Sequence, residues 1–365
     1  MADRAPHAGA GRPCHARRPA GRGACFALGL LAWLIAGPLA ADTVRIATFN
    51  AELQRDGPGL LLRDIDRGED KQIAAVIDMI AVAAPDILAL QSIDWDHDGL
   101  TLAAFTARLA DAGIDYPHTF FPRGNRGLPS GADLDGDGRP GEPEDMQGFG
   151  AFTGQGAMAI LSRFPILADR AQVFDALLWR DLPGADLPVH PDGSPFPSSE
   201  ALQVQRLSSS GHWAVPVELP GGQVLTVLTF HAAPPVFDGP EDRNGRRNAD
   251  EIRFWPLWLD GAFGPLPPGL PVVAGDTNQD PAEGEGRKAA IQALLADPRL
   301  QDPFAGATGD LATVEWDGIG RFRVDYVLPS ADLSVVDAGI LRPGAQGIGE
   351  GASRHALVWV DLHFP

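Results

Sequence analysis

From Val44 to Asn50 apolar and polar side chains alternate among β-branched residues (VRIATFN), the period of a strand with one buried face. Residues 71–83 change period and place Ile73, Val76, Ile77 and Ile80 on one helical face. An apolar run at 86–91 (DILALQ) reads as a buried strand, and 100–112 returns to helical spacing with Leu102, Phe105 and Leu109. Residues 122–150 are rich in Gly, Pro and Asp and predict a long loop, followed by a strand at 156–162 (GAMAILS). The stretch 165–215 carries many prolines and a serine run at 208–210, and no single period assigns it. Beyond it the pattern predicts strands at 223–230, 271–274, 322–328 and 355–362. It also predicts helices at 248–259, interrupted by Pro256, and at 288–296. There is no internal repeat and no linker. Strands alternating irregularly with helices, with long loops at strand ends, predict one α/β domain whose helices pack on sheets.

The first forty residues do not fit this pattern. Arg4, Arg12, Arg17, Arg18 and Arg22 precede an apolar run from Ala24 to Ile35, followed by the small residues Gly37, Ala40 and Ala41. That order is the signature of an export signal over residues 1–41, leaving a mature domain at 42–365 and an exported, periplasmic or extracellular protein. The run is shorter than the about 20 apolar residues of a membrane span. A short uncleaved anchor is the alternative.

Composition then changes in a useful way. The whole chain of 365 residues carries net charge −19; without the leader it has 24 basic and 47 acidic side chains, net −23. Such a surface repels a phosphate backbone, which disfavours a nucleic-acid partner outside a local basic cleft. Both cysteines, Cys14 and Cys25, lie in the leader. The mature chain therefore has no thiol chemistry, and any metal must be held by oxygen or imidazole.

Five predicted strands end or run at polar residues of catalytic type: Asn50, His231, Asp276 with Asn278, Asp325, and His355. Each alone has a structural explanation, such as an Asp-initiated turn for GDTN. Their order is informative. IATFN (46–50), DILALQ (86–91), AILSRFPI (159–166), LTFHAAPP (228–235), VVAGDTNQDP (272–281), RVDYVLPS (323–330) and SRHALVW (353–359) resemble the endonuclease/exonuclease/phosphatase superfamily, whose best-known member is pancreatic deoxyribonuclease. The segment 234–255 (PPVFDGPEDRNGRRNADEIRFW) looks like a secreted bacterial branch of it. The resemblance implies a four-layer α/β sandwich of two facing mixed β-sheets with outer helices, and a site at one edge. It also implies in-line attack of water on a phosphoester. Asp276 would position or deprotonate the water and Asn278 would donate to a phosphate oxygen. His231 and His355 would flank the phosphate and donate when protonated, Asp325 would fix the His355 ring and raise its pKa, and Asn50 would donate to the phosphate or orient a metal-bound water.

Two positions depart from the family. The Glu that usually follows the Gln of the second strand, a Mg²⁺ ligand, is Ser92, and the usual Ser-Asp-His near the end is Ser353-Arg354-His355. The change adds about three positive charges to a site that would hold a hard dication through carboxylates. Three readings follow. Arg354 could clamp a phosphate oxygen in the metal's stead. Glu52 and Asp94, each two residues beyond a site position, could hold Mg²⁺ or Mn²⁺ as displaced ligands. Or the site could be inactive.

A second acidic motif, Asp133-Leu-Asp135-Gly-Asp137-Gly138 running to Glu144, fits the spacing of a calcium loop, with Pro140 and Pro143 inside it and no flanking amphipathic helices. It predicts a structural Ca²⁺ or a solvated acidic turn. Arg243, Arg246 and Arg247 form either an anion-attracting patch or an ion-pair network with Glu241, Asp242, Asp250 and Glu251. The reading is an exported phosphoester hydrolase, a phosphodiesterase or phosphatase acting on a small or lipid-linked phosphoester. The alternatives are an extracellular nuclease and a non-catalytic, calcium-stabilised binding module.

Overall fold

The computed structural model describes residues 43–364; the predicted leader lies outside them. Thirteen strands and six α-helices form the domain: β1 (Thr43–Asn50), α1 (Leu60–Arg67), α2 (Lys71–Ala83), β2 (Ile87–Ile93), α3 (Leu100–Asp111), β3 (His118–Phe120), β4 (Ala157–Ser162), β5 (Gln172–Val173), α4 (Ser199–Val204), β6 (His212–Glu218), β7 (Val224–Phe230), α5 (Arg243–Leu259), β8 (Leu270–Asp276), α6 (Lys288–Leu295), β9 (Val314–Trp316), β10 (Gly320–Phe322), β11 (Asp325–Pro329), β12 (Ser334–Leu341) and β13 (Leu357–His363). One sheet has the order β12-β13-β1-β2-β4-β3 and the other β11-β8-β7-β6-β5, with β9 and β10 as a separate ribbon. Each sheet is mixed: β1 with β2 and β7 with β8 are parallel, and the remaining pairs are antiparallel.

Strand alternation sorts the apolar side chains into three layers of core. Ile46, Ile87, Ile160, Val215, Val227, Val272, Val327 and Val360 meet between the two sheets. Phe49, Leu88 and Leu161, on the opposite pleat, pack under α2 and α3. Leu228, Phe230, Val273 and Tyr326 pack under α5 and α6. The result is the four-layer helix–sheet–sheet–helix sandwich that the resemblance implied.

The unassigned stretch holds β6, where Pro216 interrupts the strand signal. Pro216 faces the outer edge of the sheet beyond β5, where its carbonyl accepts from Leu167 N at 2.9 Å, so its missing N–H takes nothing from the ladder with β7. β12 was not predicted: it is an edge strand, half exposed and bulged between Val335 and Asp337, so it has no buried alternation to read. α5 begins five residues before its predicted start and continues through Pro256. Its burial between the second sheet and the loops beyond it outweighs the lost backbone bond. Among the described residues no helix is long and apolar enough to cross a membrane.

Candidate active site

The inward-facing rows of the strands end in the polar residues named above. On β1 the row Val44–Ile46–Thr48 ends at Asn50; on β8, Val272–Ala274 ends at Asp276; on β11, Val327 is preceded by Asp325; beyond β7, Leu225–Val227–Thr229 leads to His231. The dry inter-sheet core therefore continues at one edge into a polar cluster whose members are all nearly or completely buried. Asp276 and Asp325 are direct cross-strand partners. Close approach of β7 to β8 brings His231 beside Asp276. It requires Gly275, where a Cβ would lie 2.3 Å from the carbonyl oxygen of Phe230.

The geometry ties the cluster together. His355 Nδ1 lies 3.0 Å from Asp325 Oδ2 and 3.8 Å from Asp276 Oδ2. Asn50 Nδ2 donates to Asp276 Oδ2 at 2.9 Å, and the backbone N–H of Asn278 donates to Asp276 Oδ1 at 2.7 Å. His231 Nε2 is 3.4 Å from Asp276 Oδ2. Asn278 directs its side-chain amide to the carbonyl of Ala232 at 2.9 Å, so one of its two amide protons is already engaged. The ribbon β9–β10 covers the far side of His355, with Trp316 edge-on to the imidazole at 6.1 Å between ring centres.

Protonation follows from these neighbours. Burial alone would lower His355, but the Asp325 and Asp276 carboxylates outweigh it and raise its pKa to about 9. Burial and the charge of Asp325 push Asp276 up to about 7, against the opposing effects of His355, Asn50 and the Asn278 amide. His231 behaves differently. Burial, then the positive charges of Arg126 and His355, hold its pKa well below the usual histidine value. The surroundings thus favour the neutral imidazole at His231 and the cation at His355.

Arg126 was not identified from the sequence. Its guanidinium Nε donates to the Gln155 carbonyl at 3.2 Å, and its charge acts on both Asp94 and His231. Burial lowers its pKa to about 10, so it remains a cation at neutral pH. The terminal nitrogens of this guanidinium have no acceptor among the described residues, which leaves them available to an anion beside His231. Nothing local in the sequence signals this; Arg126 lies inside the long loop and comes beside Gly156, thirty positions later, only in the folded chain.

The acids proposed as displaced metal ligands are both engaged elsewhere. Glu52, in a left-handed backbone conformation (φ 48°), accepts from the Arg354 backbone N–H at 2.8 Å, from Arg354 Nε at 2.9 Å and from Ser353 Oγ at 3.2 Å; Arg354 Nη2 closes the fork. Burial works to raise Glu52, yet the hydrogen bonds from Arg354 outweigh it and hold the carboxyl below its ordinary range. Asp94 accepts the backbone N–H groups of Arg55 at 3.0 Å and Gly156 at 2.9 Å, and burial raises it to about 6. Ser92 is the extra residue of a β-bulge, with φ 62°. Arg354 does not reach Asp276; its side chain is 60% exposed. Asp276, Asp325 and His355 do form an acidic and imidazole group whose ligand atoms lie within 4.8 Å of one another. The family implies a divalent cation. The expected holders Glu52 and Asp94 do not fit one, since every carboxylate oxygen already has a donor and a guanidinium sits on Glu52.

In the second acidic motif Asp133, Asp135 and Asp137 come together, with ligand atoms also within 4.8 Å. Glu144 does not join them. It is exposed in a turn at Pro143–Asp145, and the next residue, Asp145, points inward to accept from Leu134 N at 2.6 Å and Gly141 N at 2.7 Å. The three arginines of α5 do not form an anion patch. Arg243 is bound to the Leu134 carbonyl, Arg246 to Asp186 and Arg247 to the carbonyls of Leu207, Gln147 and Arg206.

A two-sheet sandwich whose edge carries a buried cluster of Asp, Asn and His defines a class of phosphoester-cleaving folds. The sequence model of the Endonuclease/Exonuclease/phosphatase family matches residues 47–355, and the chain belongs to this family of phosphoester hydrolases. Among solved structures it is similar to a family protein from Leptotrichia buccalis (17% identity, TM-score 0.54, covering 88% of this chain and 100% of that one). It is also similar to one from Beutenbergia cavernae (20%, 0.51, 88% and 72%) and to the human Nocturnin catalytic domain with bound sulfate (16%, 0.50, 88% and 94%). At these identities the likeness establishes the fold. No curated protein matches the chain.

Proposed function

We propose that the chain is an exported phosphoester hydrolase that works without a divalent ion at Glu52. The observation that carries this reading is the buried line Asp276–His355–Asp325, with His355 held as a cation between two carboxylates. In-line attack needs a base for water, donors for the phosphoryl oxygens and positive charge where the transition state gains negative charge. Asp276, raised toward neutrality, accepts the proton of the attacking water as the P–O bond to the ester oxygen opposite breaks, and the departing alkoxide takes a proton from solvent. His355 donates from Nε2 to a phosphoryl oxygen while Asp325 fixes its ring through Nδ1. Arg126 supplies a second cation, and Asn50 and the remaining amide proton of Asn278 orient Asp276 and the phosphate. The Glu52–Arg354 pair braces the backbone: Ser353 Oγ donates to the Asn50 carbonyl at 2.7 Å and accepts the His355 N–H at 3.0 Å.

The substrate class is a small or lipid-linked phosphoester, because a mature net charge of −23 weakens both steering and counterion release for a polyanion. The loop at Asp133, Asp135 and Asp137 is read as a structural calcium site, which the convergence of the three carboxylates favours. The test is hydrolysis of a chromogenic phosphodiester and monoester by residues 42–365, beside the Asp276→Ala/His355→Ala double variant. Turnover lost in the double variant supports the reading. Preference for single-stranded DNA over both small esters would move the reading to a nuclease. No turnover on a panel of phosphoesters would move it to a binding module.

A further inference from the structure

α5 inverts the usual distribution of polarity on a helix. Its polar residues Arg247, Asn248, Asp250 and Glu251 are buried beneath the catalytic loops, and Asn248, Asp250 and Glu251 are fully inaccessible. Burying an amide and a carboxylate is costly unless each finds partners, and their partners here are the backbones that carry the site. Asn248 Nδ2 uses both protons: one goes to the carbonyl of Ala233 and the other to that of Thr277, each at 2.7 Å. Ala233 lies two residues after His231, and Thr277 lies between Asp276 and Asn278. Glu251 completes the clamp. Its Oε2 accepts the Ala233 N–H at 2.7 Å, and its Oε1 accepts the Ser209 N–H at 2.6 Å. The Ser209 hydroxyl lies 2.8 Å from Glu251 Oε1 and 3.1 Å from the His231 carbonyl and donates its single proton between these two acceptors.

We infer that Asn248 and Glu251 are positioning residues: one helix turn holds the His231 loop and the Asp276–Asn278 loop in the register that hydrolysis requires. The inference rests on the hydrolase reading for its kinetic consequence. The two loops also meet through His231 Nε2, 3.4 Å from Asp276 Oδ2, through Ala232 N–H to the Asp276 carbonyl at 3.0 Å and through the Asn278 amide. These contacts lie next to Ala233 and Thr277, the residues that α5 holds. The motif around these residues (DRNGRRNADEIRFW) is therefore a buried scaffold of the site.

The test compares Asn248→Ala and Glu251→Gln with Arg253→Ala, a change on the same helix that breaks contacts only with Asp250, Pro183 and Gly184. Glu251→Gln keeps volume but turns an amide donor toward a backbone N–H. The expected result is a kcat lowered by roughly 10²-fold in Asn248→Ala, with KM within about twofold, the signature of misplaced groups rather than lost binding. Arg253→Ala keeps the wild-type kcat. Hydrogen exchange gives a readout independent of activity: amides of Ala232 and Asn278 exchange at least about tenfold faster in Asn248→Ala and unchanged in Arg253→Ala. Unaltered exchange at both amides, or equal changes in all three variants, overturns the inference. A wild-type protein without turnover defeats the hydrolase reading, and the exchange data then decide the clamp alone.

Discussion

Asp276 and Asp325 face each other directly across the ladder of β8 and β11, and His355 Nδ1 stands 3.0 Å from Asp325 and 3.8 Å from Asp276. Two carboxylates this close and this buried repel, and a protonated imidazole relieves the repulsion. The protonation of Asp276 and that of His355 therefore depend on each other, and these two groups set the working pH range.

The pH–rate profile follows. Asp276 must be ionised to accept a proton, so the rate rises with pH through its pKa of about 7. His355 must be protonated to donate, so the rate falls above its pKa of about 9. A bell with its plateau between these limbs is expected in kcat/KM. Asp325→Asn removes a charge that raises both groups, so both limbs move to lower pH; a profile of kcat/KM for the variant checks this.

Arg126→Ala removes the cation beside His231. The expected loss in kcat is roughly 10²- to 10³-fold, the range seen when one oxyanion donor is deleted, with partial recovery in Arg126→Lys. Because the Arg126 charge depresses His231, the imidazole pKa of His231 rises in Arg126→Ala, which an NMR titration reads directly.

Calcium is expected to stabilise the fold without entering the chemistry. Saturating Ca²⁺ raises Tm by a few degrees at most, as about 2–3 kcal/mol of linkage does in a domain of this size. Asp133→Asn abolishes that shift while kcat is retained. Thermal scans with Ca²⁺ and with a chelator measure it.

Reintroducing the family's acids tests what replaced them. In the Ser92→Glu/Arg354→Asp double variant Glu52 loses its guanidinium partner and two carboxylates return. Its hydrolysis is expected to become dependent on Mg²⁺ or Mn²⁺, whereas Glu52→Gln alone costs less than about tenfold, because the residue braces Arg354 and Ser353 rather than a cation.

The residues that end the inward strand rows were legible because period-two patterns carry their own direction: a row that reads Val272–Ala274 points Asp276 into the same space. The contacts that decide the chemistry were less so. Glu52 and Arg354 are about 300 positions apart, and no local period signals their pairing. Arg126 sits inside the long loop with nothing to mark it. α5 was misread at its start because amphipathic logic places Arg, Asn and Glu on the solvent face, whereas here they are buried, Arg247 on the carbonyls of Leu207, Gln147 and Arg206, and Asn248 and Glu251 on backbone groups beside the catalytic residues. β12 escaped because an edge strand exposed on both faces has no alternation to show.

The central claim is that the Glu52–Arg354 pair stands where the family places a divalent cation. Its most direct test is the rate of phosphodiester hydrolysis by metal-free residues 42–365 in excess chelator, followed by titration with Mg²⁺ and Mn²⁺. The account predicts turnover that survives chelation, is lost in Asp276→Ala/His355→Ala, and changes less than about twofold on adding either ion. Activity that vanishes in chelator and returns in proportion to bound Mg²⁺ or Mn²⁺ would contradict it.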